Sequence, residues 1–209
     1  MDRHQIHVMR TGSDFGGTMR DAIVILAVLA MAGCVNQSAP VAREPRNETV
    51  GTTSPTAALG ECGRERDSQR RIDACTEVID SGRLDSQDRA WAMTFRALGY
   101  LGERTSEPRQ ALADAEAAVR TNPNNDYAYR TRGQAYALLG EDRKALADYD
   151  AAIRINPTEG LHYFVRGSGY LELRQTDAAN RDFAKAIELD PRLKLTVETM
   201  KAVTAMSWR

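Results

Sequence analysis

The chain has 209 residues, a formal net charge of −1 and 42% hydrophobic residues. Near-neutrality excludes a nucleic-acid binder held by bulk positive charge, and the hydrophobic content is ordinary for a globular domain. The apolar residues are unevenly distributed, so the chain divides into segments of different character.

Ala22 to Ala32, AIVILAVLAMA, is the one long uncharged apolar run. It is too short to span a bilayer comfortably and follows Arg20, which reads as the core of a signal peptide. The run ends Met31-Ala32-Gly33-Cys34. Small residues directly before a cysteine resemble the lipobox of bacterial lipoproteins, although Met31 stands where Leu is usual. The resemblance implies cleavage before Cys34 and lipidation of Cys34. With Val35 rather than Asp next, it also implies an outer-membrane lipoprotein on the periplasmic side of the envelope. The competing reading is an ordinary secretory peptide. MRDAIVILAVLAMAGC, from Met19, makes a compact signal, so initiation is expected at Met19 (or Met9) and His4 and His7 then fall outside the translated chain. Residues 1–33 form the signal peptide, and 34–59 form the lipidated cysteine and a tether. Pro40, Pro45 and Pro55, with Ser and Thr and few large apolar groups, give that tether too little to bury.

With Cys34 assigned to lipid by resemblance, Cys62 and Cys75 remain as an even pair in an oxidising compartment. A structural disulfide is expected. A metal site lacks a third and fourth ligand nearby, and the spacing is not the C-x-x-C of a redox catalyst. Cys75 lies in a helical pattern, RRIDACTEVIDSG, with Ile72, Val78 and Ile79 on its apolar face and Gly82 at its end. Residues 60–91 read as a partial, capping helical unit. Asp85 or Ser86 caps the next helix, which carries Trp91, Phe95 and Leu98, and Ser106-Glu107-Pro108 opens its partner.

From Asp126 to Pro157 the chain reads as two amphipathic helices. Tyr129, Gly133, Tyr136 and Leu139 share a face of the first; Ala145, Tyr149 and Ala152 share a face of the second. A shift of 34 residues places these on Tyr163, Gly167, Tyr170, Leu173, Ala179, Phe183 and Ala186, and Pro157 on Pro191. The opposite shift gives Phe95, Gly99, Ala111, Ala118 and Pro123, with Gly102 in place of the tyrosine and Ala115 in place of the second-helix aromatic. This period, with small residues at helix contacts and aromatics in the gaps, resembles the tetratricopeptide repeat. The resemblance implies an all-α superhelical solenoid of helix-turn-helix units: 92–125 (degenerate), 126–159 and 160–193, closed by a C-terminal capping helix over 194–209. Leu195, Val197, Met200, Val203 and Met206 give that helix its apolar pattern, and a dimerisation helix ending near Trp208 is the competing reading.

No catalytic constellation is present, and no enzyme activity, cofactor or metal is expected. His162 is the remaining histidine after cleavage, near the start of a repeat helix where the alignment suggests surface. Asp114, Asp148 and Asp182 recur with the repeat, as do Arg132 and Arg166, which points to exposed ion pairs between adjacent helices, each contributing about 0–1 kcal/mol. Binding remains. In the family resembled, the first helices line a concave groove, and the positions carried over are Arg96, Tyr100, Tyr127, Arg130, Gln134, Leu161, Phe164, Ser168 and Leu171. Arg130 and Gln134 partly resemble a carboxylate clamp whose usual Lys/Asn set is absent. The expected function is a lipid-anchored scaffold or adaptor that binds a protein or extended peptide. The membrane is met through lipid alone, no nucleic acid is bound, and the oligomeric state is open. The alternatives are a self-associating envelope protein or an enzyme with an unrecognised site.

Overall fold

The computed structural model describes residues 54–102 and 105–207, with side chains to residue 202. The signal segment, Cys34, the first part of the tether and Trp208 lie outside the described residues. Those described form α1 (Pro55–Arg64), α2 (Ser68–Asp80), α3 (Ser86–Tyr100), α4 (Pro108–Thr121), α5 (Asp126–Leu138), α6 (Asp142–Ile155), α7 (Gly160–Glu172), α8 (Thr176–Leu189), a short 3-10 turn (Pro191–Leu193) and α9 (Lys194–Ser207). The boundaries follow the local chemistry. The side chains of Ser54, Asp67, Asp85 and Asn125 each accept a backbone N–H in the first turn of the helix that follows, satisfying donors that a helix start leaves open. Ser54 and Pro55 together start α1 inside the stretch read as tether to residue 59, because a capping serine before a proline at the first helical position is a helix start.

Helices pair as α1–α2, α3–α4, α5–α6 and α7–α8, and each pair stacks on the next. The first helices also touch one another, α1 on α3, α3 on α5 and α5 on α7, so they form the inner layer of the solenoid.

One contact holds each pair. A Cβ added at Gly133 would lie 2.6 Å from the Tyr149 ring, and one at Gly167 would lie 2.9 Å from the Phe183 ring. The aromatic is the eighth residue of α6 and of α8. The eighth residue of α4 is Ala115, and that of α2 is Cys75. Cys75 is bonded to Cys62 of α1. The disulfide therefore occupies the place where later pairs set a ring against a glycine, and α1–α2 is built as a further helix pair of the same plan.

The α3–α4 pair corrects the expected register. The N–H groups of Glu107, Glu141 and Gln175 donate to the carbonyls of Tyr100, Tyr136 and Tyr170, each at 2.8 Å. Tyr100, not Gly102, is thus the counterpart of Tyr136, and the turn after it is two residues longer than the others. Ala97, fully buried, is the counterpart of Gly133. Gly99 instead makes room for Ile72 of the preceding pair. Where Ala115 stands in place of the ring, Ala97 stands in place of the facing glycine, and its methyl fills part of the space a ring would take.

Helix α9 lies on the last pair. Leu193, Val197 and Met200 are buried in one cluster with Phe164, Leu171 and Phe183. Leu195 departs from that pattern at 68% exposed, because it leads the helix on the side away from the α7–α8 surface. The side chains of Val203 and Met206 lie outside the described residues.

Candidate functional site

The recurring charges sit between paired helices, and they are less exposed than the sequence suggested. Arg96 donates through Nε and Nη2 to the two carboxylate oxygens of Asp114, at 2.7 and 2.8 Å. Arg132 makes the same two-pronged contact with Asp148, and Arg166 with Asp182. Arg166 also reaches back to Asp150 of the preceding pair at 2.7 Å. The aspartates Asp148 and Asp182 are buried, and hydrogen bonding by the carboxylates raises the pKa of all three arginines above its ordinary value. Two parallel charge-assisted bonds fix geometry as well as charge, so these groups set the angle within each pair. Arg96 is consequently committed to the frame and is corrected as a groove residue. Tyr100 is likewise a packing residue, beside Ala97, Leu101 and Ala111.

The C-terminal part of the expected groove is closed. Leu161, Phe164, Ser168 and Leu171 are all buried. Phe164 packs against Phe183, 5.8 Å between ring centres, and the Ser168 hydroxyl lies 3.5 Å from the Met200 sulfur. The cap helix α9 lies on this face of α7, so these four residues are core. Gln134 is buried as well. Of the nine positions, Arg96, Tyr100 and Tyr127 are half-exposed on the inner layer; the first two are taken up by the frame, which leaves Tyr127, with Arg130 buried beneath it.

Around Tyr127 the structure brings together residues that the alignment missed. Trp91, the counterpart of Tyr127 one pair earlier, is half-exposed, with its ring 5.6 Å from Tyr127 and 5.7 Å from Phe95. The two-residue shift in α3 concealed the equivalence; the signal available was the tyrosine–turn pattern of Tyr100, Tyr136 and Tyr170. The Tyr127 hydroxyl donates to Glu159 at 3.4 Å. The Arg130 guanidinium lies over the Tyr127 ring at 4.5 Å, a cation–π contact. Burial pulls the Arg130 pKa down, partly offset by Tyr127, Glu159 and Asp126. The result is a short strip of half-exposed aromatic surface, Trp91 and Tyr127, above a buried cation.

His162 is the second correction. It is fully buried rather than at the surface. Its Nε2 lies 2.9 Å from Asp126 Oδ2, and Asn156 Nδ2 donates to the same oxygen at 3.0 Å. An ionised carboxylate only accepts, so Nε2 carries the proton. Asp126 and Asn156 belong to the central pair and His162 to the next, so the triad ties them together. Burial is the main cause that depresses the His162 pKa below 6.5, against the opposing pull of Asp126. Asp126 is itself held below the ordinary carboxylate value by the His162 and Asn156 hydrogen bonds, which outweigh burial. The sign for His162 is fixed by that depression: its contribution is fully present above 6.5 and is lost as pH falls from there through its lower folded pKa, because the unfolded chain takes up the proton first. We expect urea midpoints to fall between pH 7 and pH 5 in the native chain and to fall less in His162→Gln. Equal slopes in the two proteins would show that His162 does not titrate this way.

Two family models, each described as a tetratricopeptide repeat, match residues 126–159 and 163–193. No curated protein matches significantly. Among solved structures, the chain is similar to MamA at 23% identity and a TM-score of 0.52, over 66% of this chain and 79% of that one. It is similar to MamA from residue 41 to its end, from Desulfovibrio magneticus RS-1, at 20% identity and a TM-score of 0.53, over 66% of this chain and 76% of that one. The first tetratricopeptide repeat domain of Spaghetti (RPAP3), solved with the HSP90 peptide SRMEEVD, is similar at 20% identity and a TM-score of 0.52, over 60% of this chain and all of that one. At these identities the likeness is one of fold.

Proposed function

The chain is a tetratricopeptide-repeat protein, and we propose that it is a scaffold or adaptor that binds an extended peptide or protein segment along the inner layer of its solenoid, at the Trp91–Tyr127 strip. The observation that carries this is the pair of half-exposed aromatic rings, in contact with each other, on adjacent first helices. Aromatic side chains beside a cation are the residues from which interface hot spots are made. The RPAP3 domain, a structural neighbour, was solved with a peptide, which supports this class of ligand. We further propose that the folded part hangs from a lipid on Cys34 on the periplasmic side of a bacterial envelope. The Cys62–Cys75 bond supports an oxidising compartment, and among the described residues no helix is long and apolar enough to cross a membrane.

The test is selection of linear peptides on the immobilised full chain, followed by calorimetry of a selected peptide. Trp91→Ala and Tyr127→Ala are each expected to weaken binding about tenfold or more, and Arg154→Ala, at an exposed position of α6, to leave it unchanged. Peptides that bind all three variants as tightly as the native chain, or a selection that yields none, would overturn the groove reading.

A further inference from the structure

Arg96, Arg132 and Arg166 each hold an aspartate. Arg130 does not. It is 1% exposed, yet its Nε and Nη1 meet no acceptor. His162, fully buried against the same Tyr127 ring at 6.2 Å between centres, is in the converse position. Its Nε2–H is spent on Asp126, so Nδ1 is a bare acceptor, and it meets no donor. Two donors and one acceptor are therefore shut away from water around one half-exposed ring. Native proteins leave few buried polar atoms in that state, and a specific case asks for a specific partner.

Charge narrows what the partner can be. Arg130 carries one positive charge, and Asp126 and Glu159 both act on it as nearby negative charges. With His162 neutral the cluster already sums to −1. A ligand carboxylate would take it to −2 and would turn oxygen lone pairs towards the His162 Nδ1 lone pair. The cluster lacks hydrogen-bond partners of both kinds, not charge. A neutral amide supplies both, a carbonyl oxygen that accepts and an N–H that donates.

We propose that the buried polar cluster beneath Tyr127 is a subsite for the neutral amide groups of an extended peptide: main-chain carbonyls accept separately from Arg130 Nε–H and Nη1–H, which point to different sides of the guanidinium, and an N–H of the same segment donates to His162 Nδ1. Tyr127 is its lid, since it contacts both groups and is itself half-exposed. The proposal rests on the groove reading and adds what the groove reads, namely backbone more than side-chain charge. A side-chain carboxamide of Asn or Gln shares this chemistry.

The experiment is NMR of the full chain labelled with 15N in arginine and histidine, near neutral pH, titrated separately with N-acetylalanine N-methylamide, propionamide and sodium propionate. The expected result is a saturable shift of both His162 Nδ1 and Arg130 Nε–H with an amide, and binding of propionate weaker by about tenfold or more. Tighter binding of the diamide than of propionamide assigns main chain, and the reverse order assigns side-chain carboxamide. In Arg130→Met, which removes a buried guanidinium with two nitrogens that lack hydrogen-bond partners, the His162 shift should vanish. Arg130→Lys, which keeps the charge without the fork, should weaken the shift and serves if the methionine variant does not fold. Propionate binding more tightly than either amide would overturn the proposal in favour of an anion site. No shift with any probe would overturn it in favour of resident water on Arg130 and His162. If the probes fail while selected peptides still depend on Trp91, the subsite alone is wrong; if both fail, the groove reading falls with it.

Discussion

Phe183→Ala is expected to cost about 3–5 kcal/mol of unfolding free energy, the range for deleting a buried aromatic side chain. Phe183 is fully buried, touches Phe164, and lies in the cluster beneath the cap helix. Gly167→Ala should cost about 1–3 kcal/mol, because its Cβ would lie 2.9 Å from the Phe183 ring and 3.3 Å from the Ala179 carbonyl oxygen. Those are backbone and a packed ring, which cannot swing aside. The informative variant is the double one. Once the ring is gone the added methyl has room, and the better helix propensity of alanine, worth about 0.5–1 kcal/mol, is recovered. The double variant should therefore be no less stable than Phe183→Ala alone, a departure from additivity of about 1.5–4 kcal/mol. The α3–α4 pair already carries this combination as Ala97 and Ala115, both fully buried. Urea unfolding of the four proteins measures it. Simple addition of the two single costs would show that the glycine and the ring are not the coupled contact that sets the distance between paired helices.

The same contact explains what was legible in the sequence. Gly133 with Tyr149 and Gly167 with Phe183 recur at one spacing, so the solenoid and its helix pairs were readable from period alone. Cys62 and Cys75 were readable as a pair, yet not as the fourth instance of that contact, because a disulfide and a glycine–aromatic contact share a place and no chemistry. Register failed in α3, where two extra residues in one turn moved every first-helix position and turned Arg96 and Tyr100 into apparent groove residues. Burial failed in α7. A carried-over groove presumes that the inner layer is open along its length, but Val197 and Met200 of α9 pack with Phe164 and Leu171. His162 was placed at the surface because a lone histidine early in a repeat helix has no local signal for a partner 36 residues away. Long-range polar pairs of this kind leave no periodic trace, whereas apolar faces do.

Reduction of the Cys62–Cys75 bond, or Cys62→Ser with Cys75→Ser, is expected to cost about 3 kcal/mol, given the short loop closed by a separation of 13 residues. The loss should be local. In a stacked solenoid each pair contacts its neighbours only, so damage at one end frays that end first. Helix α1 buries Leu59 and Cys62 but little else, and without the bond it has few contacts to keep it docked. Amide exchange should accelerate in α1 and α2 while α5 to α8 keep their protection. Uniform acceleration through α8 would show that the pairs unfold as one unit and that the bond is not a terminal staple. The fraying end matters for binding, because Gly63 of α1 lies against the Phe95 ring, which stacks on Trp91. Loss of α1 would loosen Trp91 and should weaken a groove-bound peptide without touching Tyr127 or Arg130. Protein taken directly from cells ties this to the compartment. In an oxidising envelope, Cys62 and Cys75 should resist alkylation until reduced, and the mature chain should begin at an acylated Cys34. Free thiols at both positions, or an unmodified Cys34 within a longer chain, would remove the envelope assignment and leave the peptide groove to be explained in a reducing cell interior.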